Sequence, residues 1–184
     1  MKLSSTAVAY FYCKHQDDQR NNYLAVATAI LAQLLYQNHD LLPYMYDQYL
    51  NSGQASLVSA RLCNELLKTM LATMSNTYLI IDGIDECAKE ERKAILSLFT
   101  FIIEADATPG RLRGMFVSQD ENDIKILLRA ASAVRLSESD IARDIESYSI
   151  HWSLKIQQKF ELSPNEQKFI VAEVCKRAQG ELYP

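Results

Sequence analysis

Several residue patterns that define common protein classes are scarce or missing in this 184-residue chain. No apolar run approaches the roughly 18 residues of a membrane-spanning helix, so we expect no membrane partner. Only five glycines and four prolines are present, which favours regular elements joined by short connections. A net charge of −4 and the lack of a basic patch argue against nucleic acid as a partner.

The cysteine pattern also excludes two classes of protein. No Cys-x-x-Cys pair occurs, so the sequence suggests neither a zinc site nor a disulfide framework. Free buried thiols are typical of a reducing compartment, and we predict a cytoplasmic location. Lys2 and the short apolar segment Ala7–Cys13 imitate a signal peptide, but the segment runs directly into the polar stretch Lys14–Asp18. Secretion is therefore not expected.

The apolar residues that are present alternate between strand and helix patterns. Four strands are predicted, at Val8–Cys13, Thr77–Ile81, Gly114–Ser118 and Ala133–Leu136, with amphipathic helices between them. Such alternation predicts a parallel sheet with helical crossovers, hence an α/β fold. The last part of the chain is helical throughout and looks like an appended helical subdomain.

Three carboxylates follow the second predicted strand, at Asp82, Asp85 and Glu86, around Gly83. An ionised carboxylate is costly to bury without a partner, so acids at the end of a buried strand face a cleft, a cation or water. In open α/β sheets, ligands bind at the carboxyl ends of the strands. Asp-Gly is also a common turn pair, so an acidic surface turn is the competing interpretation. From these residues alone both interpretations stay open.

Six stretches, taken in order, carry a family resemblance. They are Val8–Arg20, Ile30–Leu35, Thr77–Cys87 (TYLIIDGIDEC), Met115–Asp120 (MFVSQD), Asp140–Tyr148 and Ala178–Gly180. Together they resemble the nucleotide-binding domain of NACHT-type (STAND, NLR-like) signalling NTPases, especially the fungal form similar to the N-terminal domain of nephrocystin-3. Thr77–Cys87 matches the extended Walker B motif of that family, and Met115–Asp120 stands where the family has its sensor strand.

The resemblance implies a fold and a domain organisation. We expect a P-loop NTPase-like parallel sheet, lacking the P-loop strand, with a C-terminal helical subdomain. Residues 1–137 would form a partial nucleotide-binding domain without Walker A. Residues 138–184 would begin the helical subdomain that leads towards a winged helix.

The resemblance also implies roles for particular residues. Intact relatives bind Mg²⁺ with ATP or GTP and switch immune-like or incompatibility signals, and their partners are other protein domains or oligomer partners of an NLR-like protein. Asp82 matches the position that holds Mg²⁺, usually through water, beside the phosphates. Asp85 and Glu86 match the catalytic acids near the attacking water. Ser118 and Gln119 match residues that sense the nucleotide.

Two departures from the family pattern change this expectation. No Gly-x-x-x-x-Gly-Lys-Ser/Thr loop occurs, because the five glycines, at positions 53, 83, 110, 114 and 180, cannot form one. Without the amides and lysine of that loop, nothing cradles the phosphates. Gln119 stands where the family commonly has Arg, so a neutral amide replaces a cation. We therefore predict a fragment that starts after the P-loop and neither binds nor hydrolyses nucleotide by itself.

The absent P-loop strand has a structural corollary and leaves two alternative functions. Its neighbours in the sheet would have exposed edges, and the missing helix behind it would uncover Leu79, Ile81 and Phe116. The first alternative is a nucleotide-free interaction module that pairs through such an edge. The second is a receiver-like domain with Asp82 as phospho-acceptor and the acid pair Asp17-Asp18, although its last strand lacks the expected lysine.

Overall fold

The computed structural model of the chain describes residues 6–51 and 59–178. Its strands are β1 (Thr6–Tyr12), β2 (Asn76–Asp82) and β3 (Leu112–Phe116). Its helices are α1 (Tyr23–Gln37), α2 (Leu42–Asn51), α3 (Ala60–Thr73), α4 (Lys89–Glu104), α5 (Asn122–Leu127), α6 (Glu138–Phe160) and α7 (Pro164–Ala178). Short 3₁₀ turns cover His39–Leu41 and Ile84–Glu86. Among the described residues no helix is long and apolar enough to cross a membrane.

The three strands form one parallel sheet in the order β1-β2-β3. The register pairs Tyr12 with Asp82 and Ile81 with Phe116, so all three strands end at the same edge. Each crossover between neighbouring strands contains helices, as parallel pairing requires. The predicted α/β class is confirmed, and three of the four predicted strands are present within two residues of their predicted positions.

One face of the sheet carries the core of the first compact unit, residues 1–131. Ala9, Leu79 and Ile81 are fully buried there. They belong to the same hydrophobic cluster as Ile30 and Leu34 of α1 and the inward residues of α3 and α4. The opposite face is exposed, with Tyr10 at 51 % and Met115 at 59 % relative accessibility. The sheet is therefore covered on one side only.

The outer edge of β1 is closed by two glutamines of α1. Gln37 Oε1 accepts a hydrogen bond from the Val8 N–H (3.1 Å), and Gln37 Nε2 donates to the Val8 carbonyl (2.8 Å). Gln33 makes the same pair of bonds to Tyr10, at 3.1 and 2.8 Å. Each amide thus takes the hydrogen-bonding place that a residue of a neighbouring strand would have.

The second compact unit, residues 132–184, contains the helical pair α6 and α7. A capping box begins α7: Ser163 Oγ accepts from the Glu166 N–H (3.3 Å), and Glu166 Oε2 accepts from the Ser163 N–H (2.8 Å). α6 begins with a similar box made by Ser137 and Asp140. Small side chains line the contact between the helices, where Gln167 Nε2 donates to the buried Ser153 hydroxyl (2.6 Å).

Two sequence predictions about the sheet are wrong. Ala133–Leu136 forms no strand, and Val134 is 91 % exposed, so the fourth predicted strand is an extended connection. Leu79 and Ile81 are fully buried and not uncovered, because their side chains point to the face on which the helices pack. The apolar surface that is uncovered belongs to the alternate residues of the strands, such as Tyr10 and Met115.

Candidate functional site

The acidic loop begins where β2 ends. Asp82 is the last residue of the strand, and Gly83 follows in the left-handed region with φ of 70°. A Cβ at Gly83 would lie 3.1 Å from the Cys13 carbonyl oxygen, so both the conformation and the available space favour glycine. The 3₁₀ turn Ile84–Glu86 then places the next two acids back over the ends of the neighbouring strands.

Asp85 and Glu86 each tie the loop to a different strand end. Asp85 Oδ1 accepts a hydrogen bond from the Gln119 N–H, beyond β3, at 3.0 Å. Glu86 Oε2 accepts from the His15 N–H, beyond β1, also at 3.0 Å. Each carboxylate thus commits one oxygen to the backbone, and in the part of the chain that the structure describes its other oxygen has no hydrogen bond.

Asp82 differs from the other two acids. Its backbone carbonyl accepts from the Cys13 N–H at 2.8 Å, which fixes the end of β2 against the end of β1. Within residues 6–51 and 59–178, its carboxylate makes no hydrogen bond or ion pair. Asp82 therefore presents an uncommitted, half-buried carboxylate at the carboxyl edge of the sheet.

The two predicted sensing residues, Ser118 and Gln119, lie beyond β3, where Gln119 contacts Asp85 of the acidic loop. Val117 directly follows β3, and its N–H donates to the Ile81 carbonyl of β2 (2.9 Å), so Ser118 and Gln119 come just after this last contact with the sheet. Ser118 Oγ donates to the Gln119 carbonyl at 3.0 Å. Through its backbone N–H, Gln119 is brought to Asp85, whereas its side-chain amide has no described contact with the three acids.

Sequence reasoning missed Arg92, a residue of α4 that holds the acidic loop in place. Its side chain is 12 % exposed. Arg92 Nε donates to the Cys87 carbonyl at 2.7 Å and Nη2 to the Asp85 carbonyl at 2.5 Å, while Nη1 lies 3.4 Å from an oxygen of Asp123. The segment Lys89–Arg92 shows in sequence only as a charged helix start, so nothing distinguishes Arg92 from its neighbours.

Glu91 is a second residue that the sequence did not single out. Its Oε2 accepts a hydrogen bond from the Tyr23 N–H at 2.5 Å, at the first turn of α1. A carboxylate in this position satisfies an N–H that the helix leaves unpaired and complements the helix dipole. Glu91 thereby joins α4 to α1 beside the acidic loop.

An open cavity of about 570 Å³ lies beside the loop. Its wall contains Asp85, Glu86 and Cys87 from the loop and Glu91 and Arg92 from α4. On the far side, the turn after β1 and the start of α1 contribute His15, Gln16, Asn21 and Asn22. Asp82, Ser118 and Gln119 do not line it. Two of the three predicted acids, Asp85 and Glu86, therefore line the cavity, whereas Asp82, the predicted magnesium ligand, does not.

Cys13, which follows β1, and Cys87, which follows the acidic loop, are both buried. Interaction with the Cys87 thiol, together with burial, raises the pKa of Cys13 well above its ordinary value. Interaction with the Cys13 thiol and the nearby Arg92 lower the pKa of Cys87, against burial and the carboxylates of Glu91 and Asp85. No local sequence pattern indicates this interaction, because 74 positions separate the two residues.

The residues at this edge fit one half of a magnesium–nucleotide site. Among the described residues no group of three or more His, Cys, Asp or Glu side chains is arranged to hold a metal ion. Mg²⁺ is usually held by one or two carboxylates, water and substrate phosphates, so the single uncommitted carboxylate of Asp82 suits it. A cradle of glycine amides and a lysine for the phosphates is not provided by this sequence.

Comparison with known proteins gives one positive result. The sequence model of the family described as "Nephrocystin 3, N-terminal" matches residues 1–119. The match includes all three strands and the whole acidic loop and ends at Gln119. No curated protein and no solved structure matches the chain.

Proposed function

This chain belongs to the nephrocystin 3 N-terminal family, and from that membership we propose that it supplies the magnesium side of a NACHT-type nucleoside-triphosphatase switch. The observation that carries the proposal is the Asp82 carboxylate. No partner for it is found among residues 6–51 and 59–178, and it lies at the carboxyl end of the central strand of the described sheet, which is where ligands bind in sheets of this class.

Each acid has a distinct role in this proposal. Asp82 would hold Mg²⁺, and the ion, when bound, would neutralise charge on the phosphates. Asp85 and Glu86 are anchored to Gln119 and His15 by one oxygen each, so their other oxygens can orient and polarise an attacking water. Ser118 and Gln119 would face the phosphates with a hydroxyl and an amide, which donate hydrogen bonds without adding charge.

The phosphate half of the site has to come from residues other than these 184. We propose that this chain alone binds neither ATP nor GTP tightly and does not hydrolyse them, since it has no Walker A loop. The uncapped edge of β3 is the place in the described sheet where a further strand could pair. Gln33 and Gln37 close the opposite edge, whereas no such side-chain pair is described for Gly114 and Phe116.

A metal titration tests the role of Asp82. Mn²⁺, a paramagnetic substitute for Mg²⁺, is expected to broaden the NMR signals of residues 82–86 in the full chain. Asp82→Asn should weaken this effect at least about tenfold, as loss of a metal ligand does. Asp18→Asn is the matched control, an acid on an exposed turn, and should leave the titration unchanged. Mn²⁺ broadening that survives in Asp82→Asn, or calorimetric evidence of tight Mg·ATP binding, would contradict the proposal.

A second candidate function is a nucleotide-free interaction module. The exposed sheet face and the edge of β3 favour it, since both offer unsatisfied surface to another chain. Native mass spectrometry discriminates, because a well-folded protein that stays strictly monomeric at all concentrations would argue against it.

The receiver-like alternative has less support. Asp17 Oδ2 forms an ion pair with Arg20 Nε at 2.7 Å, and the strand expected at Ala133–Leu136 is not formed.

A further inference from the structure

We propose that α6 is a self-association surface, on which a second copy of this chain docks antiparallel to form a symmetric dimer. The inference concerns the second compact unit and does not depend on the proposed nucleotide function. It rests on an exposed stripe of side chains along α6 and on the opposite charges that stand towards the two ends of that stripe.

α6 and α7 bury little apolar surface against each other. Ser149 and Ser153 of α6 are buried, whereas none of the described apolar side chains of either helix is. A helix in a folded protein is stabilised mainly by the packing of its apolar face. α6 therefore has apolar surface that its neighbour α7 does not cover.

The uncovered surface is one side of α6, which we call the aromatic stripe: Ile141, Asp144, Tyr148, Trp152, Lys155 and Lys159. Successive members are three or four residues apart, so they are neighbours on the helix surface. All six are exposed, with Tyr148 at 64 % and Trp152 at 45 % relative accessibility. The centroids of these two rings are 6.1 Å apart, and Lys155 Nζ lies 4.4 Å from the centre of the Trp152 ring. The buried Ser149 and Ser153 lie about a third of a turn away around the helix, so the contact with α7 leaves the stripe open.

The aromatic stripe is complementary to its own reverse about Ile150, near the middle of α6. Tyr148 and Trp152 lie two residues on either side of Ile150, whereas Asp144 lies six residues before it and Lys155 five residues after it. Antiparallel helices bring residues at equal distances from their crossing point face to face, because both rise by about 1.5 Å per residue. Two copies of α6 that cross at the level of Ile150 therefore place Tyr148 against Trp152 of the second copy. They also place Asp144 against Lys155 of the second copy.

The charges select the antiparallel direction. In a parallel pair, Asp144 would face Asp144 and Lys155 would face Lys155, and both contacts would be repulsive. The antiparallel pair has a two-fold axis, so each favourable contact occurs twice. Ile141 and Lys159, each nine residues from Ile150, meet at the ends of the stripe, where the aliphatic stem of the lysine can cover the isoleucine.

The size of the aromatic stripe predicts a weak dimer. At their observed exposure, Tyr148 and Trp152 together offer about 200 Å² per copy. A stable interface buries roughly 800 Å² on each partner, so the aromatic pair supplies about a quarter of that area. We expect a dissociation constant on the order of 0.1 mM, and samples of about 10 µM should be mainly monomeric.

Sedimentation equilibrium of the full chain tests the dimer by charge reversal. Asp144→Lys places lysine opposite lysine at both charged contacts, and Lys155→Asp places acid opposite acid. Each change should weaken self-association at least about tenfold. An equimolar mixture of the two variants restores opposite charges at both contacts and should associate about as tightly as the parent. Loss of helix structure in either variant could not produce that recovery.

A pair of aromatic substitutions tests whether the stripe is the surface in contact. Trp152→Ala should weaken self-association at least about tenfold, because the ring stands next to the two-fold axis. Phe169→Ala is the matched control: Phe169 is 68 % exposed on α7, outside the stripe, and its loss should leave the dissociation constant unchanged. Circular dichroism checks that each variant keeps the helix content of the parent.

Three results would overturn the proposal. The first is a parent chain that stays monomeric up to about 1 mM, well above the expected dissociation constant. The second is a mixture of Asp144→Lys and Lys155→Asp that associates no better than either variant alone. The third is association that survives both charge reversals, since the contact would then lie on another surface, such as the open face of the sheet.

Discussion

At the scale of single residues, Arg92 explains how an acidic turn keeps its shape. Its guanidinium donates to the carbonyls of Asp85 and Cys87, for which the described part of the chain offers no other hydrogen-bond donor. Asp123 and Glu121 balance the charge at 3.4 and 3.9 Å. A lysine could not replace this arrangement, because only the planar guanidinium presents several donors in fixed directions.

We expect Arg92→Leu to lower the free energy of unfolding by about 2–4 kcal/mol, because two carbonyls and a carboxylate lose a largely buried donor. Arg61→Leu is the matched control, since Arg61 forms only an exposed ion pair with Glu65 on α3. That change should cost no more than about 0.5 kcal/mol. Urea denaturation gives both values, and equal effects of the two variants would show that Arg92 does not hold the loop.

Asp106 makes stability depend on pH. Hydrogen bonds from Arg111 hold the pKa of this carboxyl below its ordinary value, and Arg111 also donates to the carbonyls of Leu71 (2.6 Å) and Met74 (2.5 Å). A carboxyl with a lowered folded pKa stabilises the protein fully above its unfolded pKa, about 4, and loses that contribution as the pH falls through the folded value.

Wild-type stability is therefore expected to fall as the pH drops below about 4, and Asp106→Asn should reduce this fall. Thermal unfolding followed by circular dichroism over that range measures the difference. Asp144→Asn, on the exposed side of α6, should retain the wild-type profile. If Asp106→Asn keeps the wild-type pH dependence, the Arg111 contact does not govern it.

At the scale of elements, the residue patterns correctly predicted three strands, helices between them and a helical last part of the described chain. It failed where a segment needs a neighbour to become a strand. Ala133–Leu136 has the composition of a strand, but Val134 is 91 % exposed and no described strand pairs with it. β-propensity expresses fit to a packed, pleated surface, and without that surface the same residues form a connection.

The site shows the same division between local and long-range information. The three acids and their place after β2 could be read from Thr77–Cys87, since the pattern is local. The contacts of Arg92 and Glu91 could not, because they depend on how strands and helices distant in sequence come together. The assignment of Asp82 to magnesium stays a prediction.

The hydrogen bonds that Gln33 and Gln37 of α1 make to the edge of β1 can be tested by substitution. Gln33→Leu combined with Gln37→Leu removes four hydrogen bonds from the strand edge and leaves the Val8 and Tyr10 backbone open to pairing. We expect the double variant to self-associate at concentrations where the parent does not, as measured by sedimentation velocity. Gln158→Leu adds the same apolar side chain at an exposed position of α6 and should not associate. An unchanged sedimentation profile for the double variant would contradict the capping role.

At the scale of the whole molecule, the sheet of the first unit has one face buried under helices and one face exposed to solvent. Leu79→Ala on the covered face should cost about 2–5 kcal/mol, the usual cost of a cavity in a packed core. Met115→Gln on the open face should change stability by no more than about 0.5 kcal/mol. Urea denaturation compares the two. A large loss for Met115→Gln would mean that the open face is covered in solution.

The position of the chain's single tryptophan has an optical consequence. Trp152 lies on α6 with Lys155 Nζ 4.4 Å from the centre of its ring, whereas eight of the ten tyrosines belong to residues 1–131. Fluorescence excited at the red edge of absorption therefore reports on the helical pair, and tyrosine absorbance reports mainly on the sheet unit. One unlabelled sample can thus give two unfolding curves, and their midpoints tell whether the protein melts as one body or as two.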